Sequence, residues 1–150
     1  MLDFLKILKV IEENRLDVFT TSSLARLLAV PPSGIQNYLE ILSNNELIKR
    51  IEKGKYCRIY LDDKFIIGSK IVEGGVVSHQ SALAYHGLGE DIPGEVYVSS
   101  TQQKQSKVVF GNRISFIRIR PHKEFGAREE HGPNGSFRVS DLEKTILDCL

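Results

Sequence analysis

The fold is decided by residues Thr20–Leu61, which read TTSSLARLLAVPPSGIQNYLEILSNNELIKRIEKGKYCRIYL. The hydroxyl side chains at the start of this stretch precede Leu24–Leu28, a run of good helix formers, so a helix is predicted to begin there. Pro31 and Pro32 then end it, because proline has no N–H to donate and restricts the residue before it. The stretch therefore opens with a helix and a sharp turn.

A second helix is predicted directly after the turn, with Ser33 as its N-terminal cap. Ile35, Leu39 and Leu42 follow at the spacing of one buried helical face. The opposite face carries short or amide side chains able to contact base edges, namely Gln36, Asn37, Glu40 and Ser43. This pattern is typical of a recognition helix.

A β-hairpin is predicted after the second helix. Leu47–Ile51 forms the first strand, Glu52–Lys55 the turn and Tyr56–Leu61 the returning strand. Its basic residues are Lys49, Arg50, Lys53, Lys55 and Arg58. Helix, turn, helix and basic hairpin is the order of a winged helix-turn-helix, although a solvated basic hairpin also occurs in other soluble proteins.

Composition is that of a globular protein of one ordinary or two small domains. The chain has 150 residues, of which 41% are hydrophobic and 26% charged. The formal net charge of +1 gives the whole chain no strong polyanion-binding character. DNA binding must therefore depend on where individual charges lie.

Cysteine usage and hydropathy predict a cytoplasmic protein with no membrane partner. Cys57 and Cys149 are far apart in sequence, which fits neither a disulfide framework nor a zinc site and suits a reducing cytosol. The N-terminus is charged throughout and lacks the apolar core of a signal peptide. No apolar run approaches the length of a membrane span.

The predicted fold class is α+β, with three segments. Residues 1–63 form the winged helix-turn-helix domain, residues 64–75 a glycine-containing linker, and residues 76–150 a small mixed α/β domain with antiparallel strands. The winged domain is predicted to begin with a helix over Leu2–Glu13. Its apolar stripe is predicted to contain Phe4, Leu5, Leu8 and Ile11, with Ile7 flanking.

The second domain is predicted to contain a short helix, a strand and a hairpin. The helix covers Ser78–His86, the strand Glu95–Ser99, and the hairpin turns at Gly111-Asn112. Ser140 and Glu143 are predicted to form a capping box for a last helix, Asp141–Leu150. That helix is still in apolar register at its last residue, so we expect the chain to be a fragment, truncated within its second domain.

The chain resembles the AbiEi family of type IV antitoxins and related transcriptional regulators. The winged stretch is generic, and two motifs make the resemblance specific: SAL-x-x-HGL over Ser81–Leu88 and EKTILD over Glu143–Asp148. The winged helix-turn-helix and the start of the C-terminal domain are the parts covered. The resemblance implies a repressor that binds repeats in its own promoter and has a functional link to a nucleotidyltransferase-like toxin.

Ten residues are candidates for contact with DNA. On the second helix, an amide side chain can bond adenine in a bidentate way, and Tyr38 lies either at the edge of the core or in the groove. At the start of the first helix, hydroxyls could contact phosphate or simply cap the helix. The set is Thr20, Thr21, Ser22, Arg26, Ser33, Gln36, Asn37, Tyr38, Lys53 and Lys55.

Enzymatic activity and metal binding are not predicted. The sequence has no Gly-x-Ser-x-Gly, no phosphate-binding glycine loop and no His-Glu-x-x-His. No cofactor is expected, and the four histidines lack carboxylates at ligand spacing.

Two functions stay open. The first is a sequence-specific DNA-binding repressor, acting as a dimer on successive major grooves about 34 Å apart or as a monomer on each repeat. The second is a protein-interaction module that uses the winged fold as a docking platform.

Overall fold

A computed structural model describes residues 2–150 and divides them into two compact units, which meet in sequence between Leu61 and Asp62. Helices and strands occur in both units, so the fold class is α+β, as predicted. The strands form two separate sheets, one of three strands and one of six. Within residues 2–150, no helix combines the length and apolar character needed to cross a membrane.

The first unit combines three helices with a three-stranded antiparallel sheet. Along the chain these elements are α1 (Phe4–Glu13), β1 (Val18–Thr20), α2 (Thr21–Leu28), α3 (Gln36–Asn44), β2 (Ile48–Glu52) and β3 (Lys55–Arg58). A 3₁₀ turn over Pro32–Gly34 connects α2 to α3. The sheet order is β1-β3-β2, so the strand that precedes α2 pairs with the returning strand of the hairpin.

The core of the first unit lies between the helices and the sheet. Ile35, Leu39 and Leu42 are all buried, as their spacing predicted. In α1 the prediction was wrong in part, since Leu5 is 79% exposed while Ile7 is completely buried. The other members of this core are Ile11, Phe19, Leu24, Ala25, Leu28, Ile48 and Tyr56.

The N-terminal caps of α2 and α3 differ. Thr20 caps α2 in a capping box. Its Oγ1 accepts a hydrogen bond from the Ser23 backbone N–H at 3.0 Å, and Ser23 Oγ accepts one from the Thr20 backbone N–H. Ser33 does not cap α3. It lies inside the 3₁₀ turn, and Ile35 occupies the cap position without a side-chain hydrogen bond. The two prolines start a 3₁₀ turn here, which moves the start of α3 three residues past Ser33.

The second unit is built on a mixed six-stranded sheet. Its elements are α4 (Lys64–Lys70), β4 (Val76–Val77), α5 (His79–Tyr85), β5 (Glu95–Ser100), β6 (Lys107–Val109), β7 (Asn112–Arg118), β8 (Ala127–Gly132), β9 (Gly135–Ser140) and α6 (Leu142–Cys149). The strand order is β6-β7-β5-β4-β9-β8. The antiparallel pairs β4–β5, β6–β7 and β8–β9 agree with the prediction, whereas the parallel pairs β5–β7 and β4–β9 were not foreseen.

The prediction of a linker over residues 64–75 is wrong. Asp63 caps α4 by accepting hydrogen bonds from the backbone N–H groups of Phe65 and Ile66, and α4 packs on the sheet of the second unit. Gly68 allows that close packing, since an added Cβ would lie 3.2 Å from Val96. Gly68, one of the glycines in the predicted linker, therefore serves packing.

The cap of α6 also differs from the prediction by one residue. Asp141 Oδ1 accepts a hydrogen bond from the Lys144 backbone N–H at 2.8 Å, so Asp141 and not Ser140 is the cap. Ser140 belongs to β9, where it pairs with Ala127 and is buried. Because Ser140 pairs with β8 as part of the strand, the next residue, Asp141, takes the cap position of α6.

We expect the two cysteines to differ in reactivity. Cys57 is buried in β3, and burial raises the pKa of its thiol to about 11, so only about 0.1% is thiolate at pH 8. Cys149 is exposed. A thiol-reactive dye at pH 8 is expected to label one cysteine per native chain and two in urea. Native Cys149→Ser should take up no dye, and labelling of Cys57 in that variant would contradict the buried position.

Candidate nucleic-acid interface

The exposed face of α3 is the centre of the candidate interface. Burial of Leu39 and Leu42 fixes the rotation of this nine-residue helix, so that Asn37 and Glu40 face outward. Ser33 is exposed in the turn that precedes the helix. At 1.5 Å per residue the helix is about 13 Å long, which suits insertion into one major groove.

Gln36 is held by its own helix. Its Nε2 donates a hydrogen bond to Oε1 of Glu40 one turn later, at 3.3 Å, and the side chain is half-buried. A bidentate contact with adenine would require this bond to break. Of the two amides predicted to contact bases, Asn37 is therefore the one presented more directly.

Tyr38 of α3 contacts residues at the start of the chain. Its hydroxyl donates to the Leu2 carbonyl oxygen at 3.3 Å, and its ring meets Phe4 edge-on with 5.0 Å between centroids. These contacts hold it at the edge of the core, which was one of the two predicted positions. Contact of Tyr38 with DNA stays a prediction, and in this position it would require the hydroxyl to leave Leu2.

The hydroxyls at the start of α2 do not act together. Thr20 is occupied in the capping box, and Thr21 is only 8% exposed. Thr21 Oγ1 is also buried and has no hydrogen-bond partner among the described residues, so it cannot reach a phosphate. Ser22 and Arg26, one turn apart on α2, are both exposed. They are the residues of this helix that can contact a phosphate backbone.

The basic residues of the β2–β3 hairpin have separate roles. Lys53 is exposed at the turn, whereas Lys55 forms an ion pair with Glu52 at 3.1 Å. Lys49 donates to the Leu61 carbonyl oxygen at 2.5 Å. Arg58 lies near carboxylates of Glu12 and Asp17, at 3.4 and 3.7 Å. Lys55 and Arg58 thus have carboxylate partners within the first unit.

Arg50 is the site residue that the predicted set omitted. It is exposed on β2 and lines a shallow groove of about 190 Å³ with Glu40, Ser43, Asn44 and Tyr56. Strand alternation places it on the same side as Ile48, the side that packs on the helices. That alternation was the available signal in the sequence, and it puts a guanidinium next to α3.

Metal-ligating side chains do not cluster in the part of the chain described. Among residues 2–150, no three His, Cys, Asp or Glu side chains come close enough together to hold a metal ion. The exposed candidate residues of the first unit are polar and carry charges of both signs. They are Ser22, Arg26, Ser33, Asn37, Glu40, Arg50 and Lys53.

Comparison with known proteins finds no protein-family model and no curated protein that matches the chain. The resemblance to AbiEi-type antitoxins therefore stays a prediction from sequence motifs.

Proposed function

We propose that the first unit is a winged helix-turn-helix that binds DNA in a sequence-dependent way, and that the protein is a transcriptional repressor. The observation that supports this most is the exposed face of α3, where Asn37 points outward and Arg50 of β2 lines a groove with Glu40. A further exposed cation, Lys53, lies at the hairpin turn. Amides distinguish bases in the major groove, and flanking cations bind phosphates.

In the proposed complex α3 enters the major groove with its N-terminal half toward the bases. Asn37 bonds an adenine edge, and Gln36 can join it only by releasing Glu40. Arg50 and Lys53 contact phosphates on one side, with Ser22 and Arg26 of α2 available for others. Such contacts supply affinity that depends on salt, while Asn37 supplies preference for a sequence.

Repression follows from occupation of the promoter. The repeats in the protein's own promoter, implied by the family resemblance, are the proposed targets, in the cytoplasm of the cell. A homodimer would bind two half-sites one helical turn apart, and a monomer would bind each repeat separately. The functional link to a nucleotidyltransferase-like toxin is proposed from the resemblance alone.

A protein-docking role is the second candidate. Glu40 brings a carboxylate to the middle of the α3 face, and the exposed side chains Leu5 and Tyr60 are 79% and 94% accessible. A carboxylate repels phosphate, and exposed apolar side chains are common in protein interfaces. These features favour binding of a protein partner, and they become the main guide to function if the first unit does not bind DNA duplexes.

The deciding experiment is a fluorescence-anisotropy titration of the full chain with the DNA upstream of its own gene and with a scrambled duplex. Asn37→Ala is expected to reduce the preference for the upstream DNA by about 5- to 100-fold, because a bidentate base contact is lost. Lys53→Ala is expected to weaken binding to both duplexes equally and to lower the salt slope by about 1.

The matched control is Lys6→Ala, which removes one exposed lysine from α1 of the same unit. It should change neither the preference nor the salt slope. Equal weakening by Lys6→Ala and Lys53→Ala would mean that net charge alone drives binding. If the parent protein retains neither duplex at low salt, the repressor proposal fails and the docking role takes its place.

A further inference from the structure

A cavity of about 380 Å³ lies in the second unit, at the end of β7. One side is formed by the last residues of β7 and those that follow it, and the other by α6 and His79 at the start of α5. Small-molecule sites begin at about 300 Å³. This cavity therefore has room for a small ligand, and none of the DNA-contact candidates lines it.

Three basic residues line the cavity. Arg118, Arg120 and Lys123 line it within a span of six residues, and all three are exposed. The backbone between Arg120 and Lys123 forms a 3₁₀ turn over Pro121–Lys123, in which the Lys123 N–H donates to the Arg120 carbonyl oxygen at 2.9 Å. Arg118 also donates to Gln103 Oε1 at 3.4 Å. Three basic residues therefore lie close to one another in the chain at the edge of the cavity.

The one carboxylate in the lining, that of Asp148, is paired. Lys144 donates to Asp148 Oδ1 at 2.5 Å, and its ammonium lies 4.8 Å from the centre of the Phe125 ring. Lys144 is only 6% exposed, so this ion pair is shielded from solvent. With Asp148 balanced by Lys144, the charge left around the cavity is that of the three cations.

The remaining lining is apolar apart from one imidazole. Ile117, Ile119 and Leu147 supply the apolar surface, and Leu147 is exposed. His79 is half-buried and has a φ of 53°, a left-handed conformation that histidine adopts more often than most residues other than glycine. Its Nδ1 lies 2.9 Å from Ser78 Oγ. The cavity therefore combines an apolar wall with a cationic one.

We propose that this cavity binds a small phosphorylated ligand of mononucleotide size. Arg118, Arg120 and Lys123 hold the phosphate oxygens, since guanidinium and ammonium groups form charge-assisted hydrogen bonds with them. The apolar wall of Ile117, Ile119 and Leu147 packs against the uncharged part of the ligand. This site goes beyond the proposed DNA contacts, which lie in the first unit, and does not depend on them.

The test is isothermal titration calorimetry of the full chain with ATP, AMP and inorganic pyrophosphate. Arg118→Gln/Arg120→Gln is expected to weaken the binding of ATP at least about tenfold, because two charge-assisted contacts are lost. The control Arg113→Gln/Arg138→Gln removes two exposed arginines from β7 and β9 outside the cavity and should leave binding unchanged. Far-UV circular dichroism of each variant checks that it is folded.

Leu147→Trp is a second variant that keeps all three cations and fills the cavity. This variant is expected to weaken the binding of ATP and AMP more than that of pyrophosphate. The added indole ring would occupy the space where the uncharged part of the ligand packs, and pyrophosphate has no such part. The proposal is overturned if the parent protein binds none of the three probes, or if the control variant loses affinity as much as Arg118→Gln/Arg120→Gln. Binding of a DNA duplex alone, lost in Arg118→Gln/Arg120→Gln, would overturn it in favour of a nucleic-acid surface.

Discussion

Replacing Leu39 with alanine is expected to lower the free energy of unfolding of the first unit by about 2–5 kcal/mol. Leu39 is completely buried among Leu24, Ile35 and the other core residues of that unit. Alanine would remove buried apolar surface and leave a cavity that the surrounding helices and sheet fill only in part. The same substitution would loosen α3, whose exposed face carries the candidate base contacts.

Urea denaturation followed by far-UV circular dichroism measures the effect, because the chain has no tryptophan for fluorescence. Ile41→Ala is the matched control, two residues along the same helix and 47% exposed. Ile41→Ala removes about as many carbon atoms as Leu39→Ala, but from a side chain that water already contacts. The free energy of unfolding should therefore fall by less than about 1 kcal/mol. Equal costs for the two variants would contradict the orientation of α3 described above.

Gly75→Ala is expected to destabilise the second unit by about 3 kcal/mol or to prevent its folding. An added Cβ would overlap the carbonyl oxygen of Ser69 and lie 2.9 Å from Cγ1 of Val72. The overlapping atom belongs to the backbone of α4, so it cannot move aside as a flexible side chain would. Relief requires a shift of α4 or of the start of β4, both of which are packed in the core.

Gly74→Asn is the control for this position. Gly74 has a φ of 68°, which asparagine tolerates better than other residues, and an added Cβ meets nothing within 4 Å. Its cost should be about 1 kcal/mol or less. Thermal unfolding of both variants, followed by circular dichroism, compares them. If Gly75→Ala lowers the unfolding temperature no more than Gly74→Asn does, then α4 can shift freely and the expectation is wrong.

Local pattern was enough to predict the main elements of the first unit. Ile35, Leu39 and Leu42 recur at helical spacing, and the structure buries all three. Thr20 was recognised as a possible cap by residue type and serves as one. Each of these features depends on residues within a few positions of one another, which is the range that a sequence pattern describes.

Features that depend on distant residues were the ones missed. Tyr38 was left between two positions because its partners, Leu2 and Phe4, lie more than 30 residues earlier. Arg58 was counted with the basic hairpin, but Glu12 and Asp17 near the start of the unit neutralise it. Thr21 and Ser22 both offer a hydroxyl, but Thr21 is buried and Ser22 is exposed, a difference that tertiary packing determines. The structure was therefore needed to distinguish the candidate residues that are free to contact a ligand from those held in contacts within the first unit.

Glycine was the most misleading signal in residues 64–75. Gly68 and Gly75 were among the residues that suggested a linker, yet both mark close approach of the backbone to neighbouring atoms. Gly68 lies against Val96 and Val98 of β5, and Gly75 lies against Ser69. A glycine that permits flexibility and one that permits tight packing look the same in a single sequence.

The two-residue strand β4 has a consequence for synthesis of the chain on the ribosome. Val77 pairs with Val98 on one side and with Val139, roughly 60 residues further along, on the other. During synthesis from the N-terminus, β4 can therefore pair with β5 well before β9 has been made. Until then one edge of the central strand has no partner, and an unpaired edge can join a strand of another nascent chain. Its short length limits that risk, since only two residues offer hydrogen bonds.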